Sequence, residues 1–118
     1  MVGPALSLLH ADPAREWTVA ELAVAVLVSK TVLVERFRQL LARPPIRYLT
    51  EWRLNLASGL LRTTELGVAE VGARVGYSSE EAFSRAFKRQ LGMAPMYWRA
   101  DRLRARADDS QGQAPRRP

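Results

Sequence analysis

The chain has no cysteine and a single histidine, His10, among its 118 residues. Without thiols there is no disulfide, no thiolate metal site and no cysteine nucleophile. One imidazole cannot build a multi-histidine metal site and gives a serine nucleophile little to work with, so His10 reads as structural or solvent-exposed. No P-loop and no GxGxxG loop occur, and the acid pair Asp108 and Asp109 falls in the C-terminal tail. No catalytic, cofactor-binding or metal-ligating residue is therefore assigned. No apolar run approaches the ~18 residues of a membrane span. The first ten residues lack the basic start of a secretory signal, so the chain reads as cytoplasmic.

Lysine is also scarce. Lys30 and Lys88 are the only lysines among 18 cations, and arginine supplies the rest. Set against 12 acids this leaves a net charge of +6 and a pI near 10.7. A GC-rich genome favours arginine too, but a pI above ~9 is the electrostatic footprint of a nucleic-acid binder. Arginine's planar fork suits phosphates and guanine edges. The apolar share of 47% and charged share of 25% are those of a folded domain, and the length suits one domain.

The patterning is helical throughout, with proline and glycine punctuating short amphipathic runs. A short helix is expected over 5–10, with Leu6 and Leu9 on one side. Thr18 and Glu21 are spaced as a capping box, and Trp17 and Leu22 as a hydrophobic staple, for a helix ending near Ala25 or Val26. Ser29 opens a second helix with Leu33, Phe37, Leu40 and Leu41 on one buried stripe. After Pro44 a long helix is expected over 45–62, with Tyr48, Leu49, Trp52, Leu56 and Leu60 on one face. Gly67 begins a helix carrying Val68, Val71 and Val75, and Gly76 supplies a turn. Ser78 or Ser79 caps a helix holding Phe83, Phe87 and Leu91, with a capping box from Ser78 to Glu81 in view. Gly92 ends it, Pro95 starts a last helix, and residues 108–118 read as a disordered tail.

A repeat organises these pieces. Val19-Ala20-Glu21-Leu22 returns as Val68-Ala69-Glu70-Val71, an offset of 49. Ser29, Leu33, Phe37, Leu41 and Pro45 return as Ser79, Phe83, Phe87, Leu91 and Pro95, an offset of 50. The one-residue difference falls in the turn between paired helices. Each copy is a short helix, a turn, a longer helix and a proline-started helix, which is a helix-turn-helix signature. The face of the second copy's longer helix that points away from Phe83 and Phe87 carries Glu80, Glu81, Ser84, Arg85 and Lys88. A recognition helix needs such a face, although a solvated surface helix looks similar. A connecting helix of about 18 residues spans ~27 Å. With helix width added, the two readers fall about one DNA turn apart, ~34 Å. Because the readers differ in sequence, one chain would favour an asymmetric site.

These residues resemble a known family. TVAELA, then SKTVLVERFRQLLARPPIRYLTEWRL, then LLRTTELGVAEVGARVGYSSEEAFSRAFKRQLGMAPMYWR is similar to the DNA-binding domain of AraC/XylS-type bacterial transcription regulators, over about 6–99. The second copy carries the most specific part: Val68, Glu70, Val71 and Gly72, then Gly76 and Tyr77, then Ser79, Phe83, Ser84, Arg85, Phe87 and Lys88, then Gly92, Pro95, Trp98 and Arg99. The resemblance implies an all-α fold of about seven helices. Two helix-turn-helix units, about 18–42 and 67–92, are joined by the linker helix at about 45–62 within a domain over 1–107. It implies binding of double-stranded promoter DNA and modulation of transcription. By position, the base-reading candidates are Lys30, Thr31, Val32, Val34 and Glu35 on the first recognition helix. On the second they are Glu80, Glu81, Ala82, Ser84 and Arg85. The phosphate candidates are Ser29, Arg38, Ser79, Lys88 and Arg89.

Three departures stand out. The first reader is apolar and acidic where reading side chains would sit, at Val32, Val34 and Glu35. Valine can touch a thymine methyl and glutamate can accept from cytosine N4, but Glu35 repels phosphate. That unit is expected to read weakly, unless Glu35 simply pairs with Lys30 or Arg38 on the helix surface. Ala42 stands where the second copy has Gly92, and Gly67 stands where the first has the capping Thr18. Family members carry an effector-sensing or dimerisation domain that residues 1–17 are too short to form, so the chain is expected to be a fragment of a longer regulator or a short relative. RNA polymerase is a further expected partner. The alternative is a helical protein-interaction module docking on polymerase or another regulator, discriminated by the salt dependence of duplex binding. The charge is local: between residues 84 and 106, Arg85, Lys88, Arg89, Arg99, Arg102, Arg104 and Arg106 face Asp101 alone, which equals the chain's net +6. Most phosphate attraction is expected from that half.

Overall fold

Local chemistry sets most helix starts. In the computed structural model, which describes residues 2–101, helices run over α1 (Val2–Ala11), α2 (Val19–Ala25), α3 (Lys30–Leu41), α4 (Pro45–Thr63), α5 (Val68–Arg74) and α6 (Glu80–Leu91). A last helix, α7, covers 95–101. Among the described residues there is no strand. The Thr18 hydroxyl accepts from Glu21 N while the Glu21 carboxylate accepts from Thr18 N, so the expected capping box closes. Ser29 and Ser79 cap α3 and α6 by accepting from Val32 N and Ala82 N. Ser79 is the cap, and no Ser78–Glu81 box forms. Gly67 caps α5 without a side-chain bond, as its lack of a hydroxyl requires. Pro45 takes the first turn of α4, where a missing N–H costs nothing.

Each helix pair closes its own core. Leu9, Leu22, Leu33, Phe37 and Leu49 form the first, with Trp17 packed against it as the staple predicted. Leu54, Ala57, Leu61, Val71, Val75, Phe83, Phe87 and Trp98 form the second. The linker helix α4 feeds both, which corrects the single stripe expected on it. Leu49 is buried in one core and Leu54, Ala57 and Leu61 in the other, while Tyr48, Trp52, Leu56 and Leu60 are only half-buried at the margins. Leu40 also departs from expectation. It is 67% exposed, because the buried line through Leu33 and Phe37 turns past it toward Leu41. The first helix begins at Val2 rather than Ala5, which brings Val2 and Ala5 into the core. His10 is exposed, stacked on Trp52 at 4.1 Å with its Nε2 2.7 Å from the Tyr48 hydroxyl, a packing role. The tail assigned to 108–118 lies outside the described residues.

The turns need left-handed backbone, and the two copies supply it differently. Gly76 (φ 106°) and Gly92 (φ 89°) serve the second unit, while Leu27 (φ 61°) and Ala42 (φ 62°) serve the first. The N–H groups of Ala42 and Gly92 donate to Arg38 O and Lys88 O, so both helix ends close alike despite the missing glycine.

Candidate nucleic-acid interface

Both longer helices keep the face expected to read DNA open. Leu33 and Phe37 bury one side of α3, and Phe83 and Phe87 bury the matching side of α6. That leaves Ser29, Lys30, Thr31, Val32, Glu35 and Arg38 exposed and Val34 half-buried. On α6, Ser79, Glu80, Glu81, Arg85, Lys88 and Arg89 are exposed, with Ala82 and Ser84 half-buried. Lys30, Thr31, Val34, Glu35 and Arg38 line one shallow depression of about 360 Å³, so five predicted residues share one face. Val32 stands outside it. Ser29 and Ser79 spend an acceptor lone pair on their caps, and their hydroxyl hydrogens remain available for a phosphate. Glu80 and Glu81 occupy the first turn of α6, where the helix dipole favours acids.

The commitments of the basic side chains sort the surface. Arg15 and Arg74 pair with Glu21 and Glu70, and Arg43 and Arg47 share Glu51. Arg53 donates to Pro13 O and Arg15 O. Arg99 donates to Leu61 O at 2.9 Å, Thr64 O at 3.3 Å and Leu66 O at 2.6 Å. It closes the C-terminal end of α4, which removes it from the phosphate-attracting cluster expected at 84–106. Arg102, Arg104 and Arg106 of that cluster lie outside the described residues. Among the described residues, the cations with no hydrogen bond or ion pair are Lys30, Arg36 and Arg38 on α3, Arg85, Lys88 and Arg89 on α6, and Arg62. All but Arg62 lie on the two longer helices. Glu35 makes no ion pair with Lys30 or Arg38, so its carboxylate stands free on the exposed face of α3.

Sequence reasoning missed Arg36, whose free guanidinium only the structure separates from the paired arginines. It also missed Leu27, although an offset of 49 aligns it with Gly76. The described residues hold no cluster of His, Cys, Asp or Glu fit for a metal. No helix among them is long and apolar enough to cross a membrane.

Residues 22–101 match the model of a family described as a helix-turn-helix domain. A putative AraC-like transcription regulator of Streptomyces lividans is 48% identical over 95 residues, covering 80% of this chain and 31% of that protein. The regulator AlkR of Acinetobacter baylyi is 41% identical over 95 residues, with the same coverage of 80% and 31%. The chain thus spans 31% of the length of these curated relatives. Among solved structures, a regulator from Chromobacterium violaceum described as AraC-type DNA-binding domain-containing superposes with a TM-score of 0.78 at 33% identity, over 83% of this chain and 88% of that one. The DNA-binding domain of AdpA, solved in complex with a target DNA, superposes at 0.79 with 28% identity, over 92% of this chain and 93% of that one.

Proposed function

The chain belongs to the AraC-type family of helix-turn-helix DNA-binding domains, and on that footing we propose that it binds double-stranded promoter DNA and regulates transcription. The observation that carries this is the distribution of uncommitted cations. Nearly every described basic side chain away from α3 and α6 is held by a carboxylate or a carbonyl, and those on α3 and α6 are not. Free cations flanking an exposed polar helix face are what phosphate contact requires. The superposition on a domain solved with target DNA supports the same reading.

The two recognition helices enter successive major grooves of one duplex face. The linker helix of 19 residues is ~28 Å long at ~1.5 Å per residue. The long dimension of 58 Å leaves room for two readers separated by one DNA turn of ~34 Å. Lys30, Thr31, Val34 and Glu35 read bases from α3, and Glu81, Ser84 and Arg85 read them from α6. Val32 and Ala82 add apolar contact, Glu80 supports the start of α6, and Ser29, Arg38, Ser79, Lys88 and Arg89 hold phosphates. An effector-sensing domain in the full regulator, RNA polymerase and a cytoplasmic setting complete the proposal. A role confined to protein docking finds support in Val24 and Leu27, which are 74% and 90% exposed.

Selection from a random duplex pool tests the reading. An asymmetric motif of two boxes about one turn apart is expected, with affinity falling steeply as salt rises. Duplex binding that ignores salt, or no binding, leaves the protein-docking role standing instead.

A further inference from the structure

Arg53 sits within the linker helix, half-buried, and its guanidinium leaves that helix entirely. Nε donates to Pro13 O at 2.6 Å and Nη2 donates to Arg15 O at 2.7 Å. Both acceptors lie in the loop between α1 and α2, which leads into the first unit. That loop is itself firmly built. The Asp12 carbonyl accepts from Arg15 N at 3.3 Å and from Trp17 Nε1 at 3.0 Å. The Arg15 guanidinium lies 4.0 Å from the Trp17 ring centre and pairs with Glu21, a member of the α2 capping box. The fork of Arg53 therefore grips a loop that is tied to α2.

The other side of the seam is the second unit's turn. A Cβ placed on Gly76 would meet Ala14 Cα at 3.0 Å, Ala14 O at 3.1 Å and Arg53 Cζ at 3.1 Å. The turn backbone of the second unit thus rests on the loop backbone that leads into the first, with the guanidinium wedged beside both. The two apolar cores are separate clusters that share only α4. This seam is a direct contact between the two halves. A guanidinium is the side chain suited to hold two acceptors in fixed geometry.

We infer that Arg53 is a positioning residue: its fork across the loop at 13–15, against Gly76, sets the distance and angle between α3 and α6, and hence the spacing between the two DNA boxes the chain accepts. The DNA half of this statement rests on the promoter-binding reading above, whereas the joint itself does not. The Arg53 fork is committed to two carbonyls, so its loss should alter geometry rather than attraction.

The cysteine-free chain takes spin labels only where they are placed. With Gln39→Cys on α3 and Gln90→Cys on α6, both exposed, double electron–electron resonance on the full chain should give one narrow distance distribution. Arg53→Met should broaden it. Arg53→Lys, whose ammonium reaches one carbonyl, should fall between. An equally narrow, unshifted distribution in Arg53→Met overturns the inference whatever the chain binds. On DNA, changing the spacer by one or two base pairs should weaken the parent by about tenfold and Arg53→Met by less than about threefold, since linked sites lose avidity when the span no longer matches. Affinity for an isolated box should be the same in both. Equal spacer penalties also overturn the inference. A parent that binds no duplex removes the promoter reading, and with it the spacing claim, while the label distances still judge the joint. Should Arg53→Met fail to fold by circular dichroism, Arg53→Lys carries both measurements.

Discussion

The second recognition helix presents Arg85 where the first, at an offset of 50, presents Glu35. Both are exposed and neither is paired, so equivalent places on the two reading faces carry opposite charge. Arginine can engage guanine O6 and N7 together, while a carboxylate can only accept, from cytosine N4. Arg85→Ala should therefore cost about 1–3 kcal/mol at one base position and relax choice there, measured by binding to duplexes varied base by base. Lys88→Ala should instead weaken all sequences alike and flatten the salt slope by about 1. A uniform loss from Arg85→Ala would reassign it to phosphate. A second pair of equivalent positions concerns stability. Leu27, with φ 61° and 90% exposure, stands in the turn place that Gly76 holds in the other unit. A branched side chain in left-handed backbone is strained, and this one gains nothing by burial. Leu27→Gly should raise stability by about 1 kcal/mol, the low end of the range for such strain, seen as a higher urea midpoint at unchanged slope. No increase would mean that the turn strain is already relaxed.

Between paired helices the two units solve one packing problem with different volumes. In the second unit Gly72 on α5 faces Phe83 on α6 so closely that a Cβ would lie 2.8 Å from Phe83 Cγ. In the first unit the equivalent places hold Ala23 and Leu33, both buried. A smaller ring-free side chain admits the extra methyl, and a phenyl ring demands its absence. Gly72→Ala should destabilise by about 1–3 kcal/mol through overpacking. Adding Phe83→Leu should recover part of that loss, with a coupling energy of at least about 0.5 kcal/mol in a double-mutant cycle. Strict additivity would show that the ring is free to move aside. Such couplings explain what was legible in the sequence. Helix starts at Thr18, Ser29 and Pro45 are readable because capping is local chemistry, and the paired units because the repeat aligns them. Which of two serines caps α6 was not settled by spacing alone. The face of α4 was misread for a larger reason. A helix that serves two cores in succession turns its buried side from Leu49 toward Leu54 and Ala57, and a single-stripe pattern cannot describe it.

Charge behaves differently once the whole molecule is considered. Counted along the sequence, the excess gathers at 84–106 and assigns phosphate attraction to the second half. In the folded chain Arg99 is consumed by three carbonyls, and among the described residues the free cations, Arg62 apart, divide between α3 and α6. Sequence could not show this, because an arginine bound to backbone and one facing solvent look alike until their neighbours are placed. Each phosphate neutralised on B-DNA contributes about −0.9 to the slope of log affinity against log salt. The pair Lys30→Ala with Arg38→Ala removes two free cations from α3, and the pair Lys88→Ala with Arg89→Ala removes two from α6. If the folded distribution governs attraction, the two double variants should flatten the slope by similar amounts, each about 2. If the linear clustering governs it, the α6 pair should cost far more than the α3 pair. Titrating one nonspecific duplex at several salt concentrations separates the two cases, because a nonspecific target removes any contribution from base reading. Glu35 sharpens the comparison. It sits in the α3 depression with Lys30 and Arg38, so it should lower the affinity contributed by that helix, most at low salt, where its repulsion of phosphate is least screened. Glu35→Gln should then tighten nonspecific binding more at low salt than at high salt, steepening the line, and an equal gain at every salt concentration would show that Glu35 does not face the phosphates.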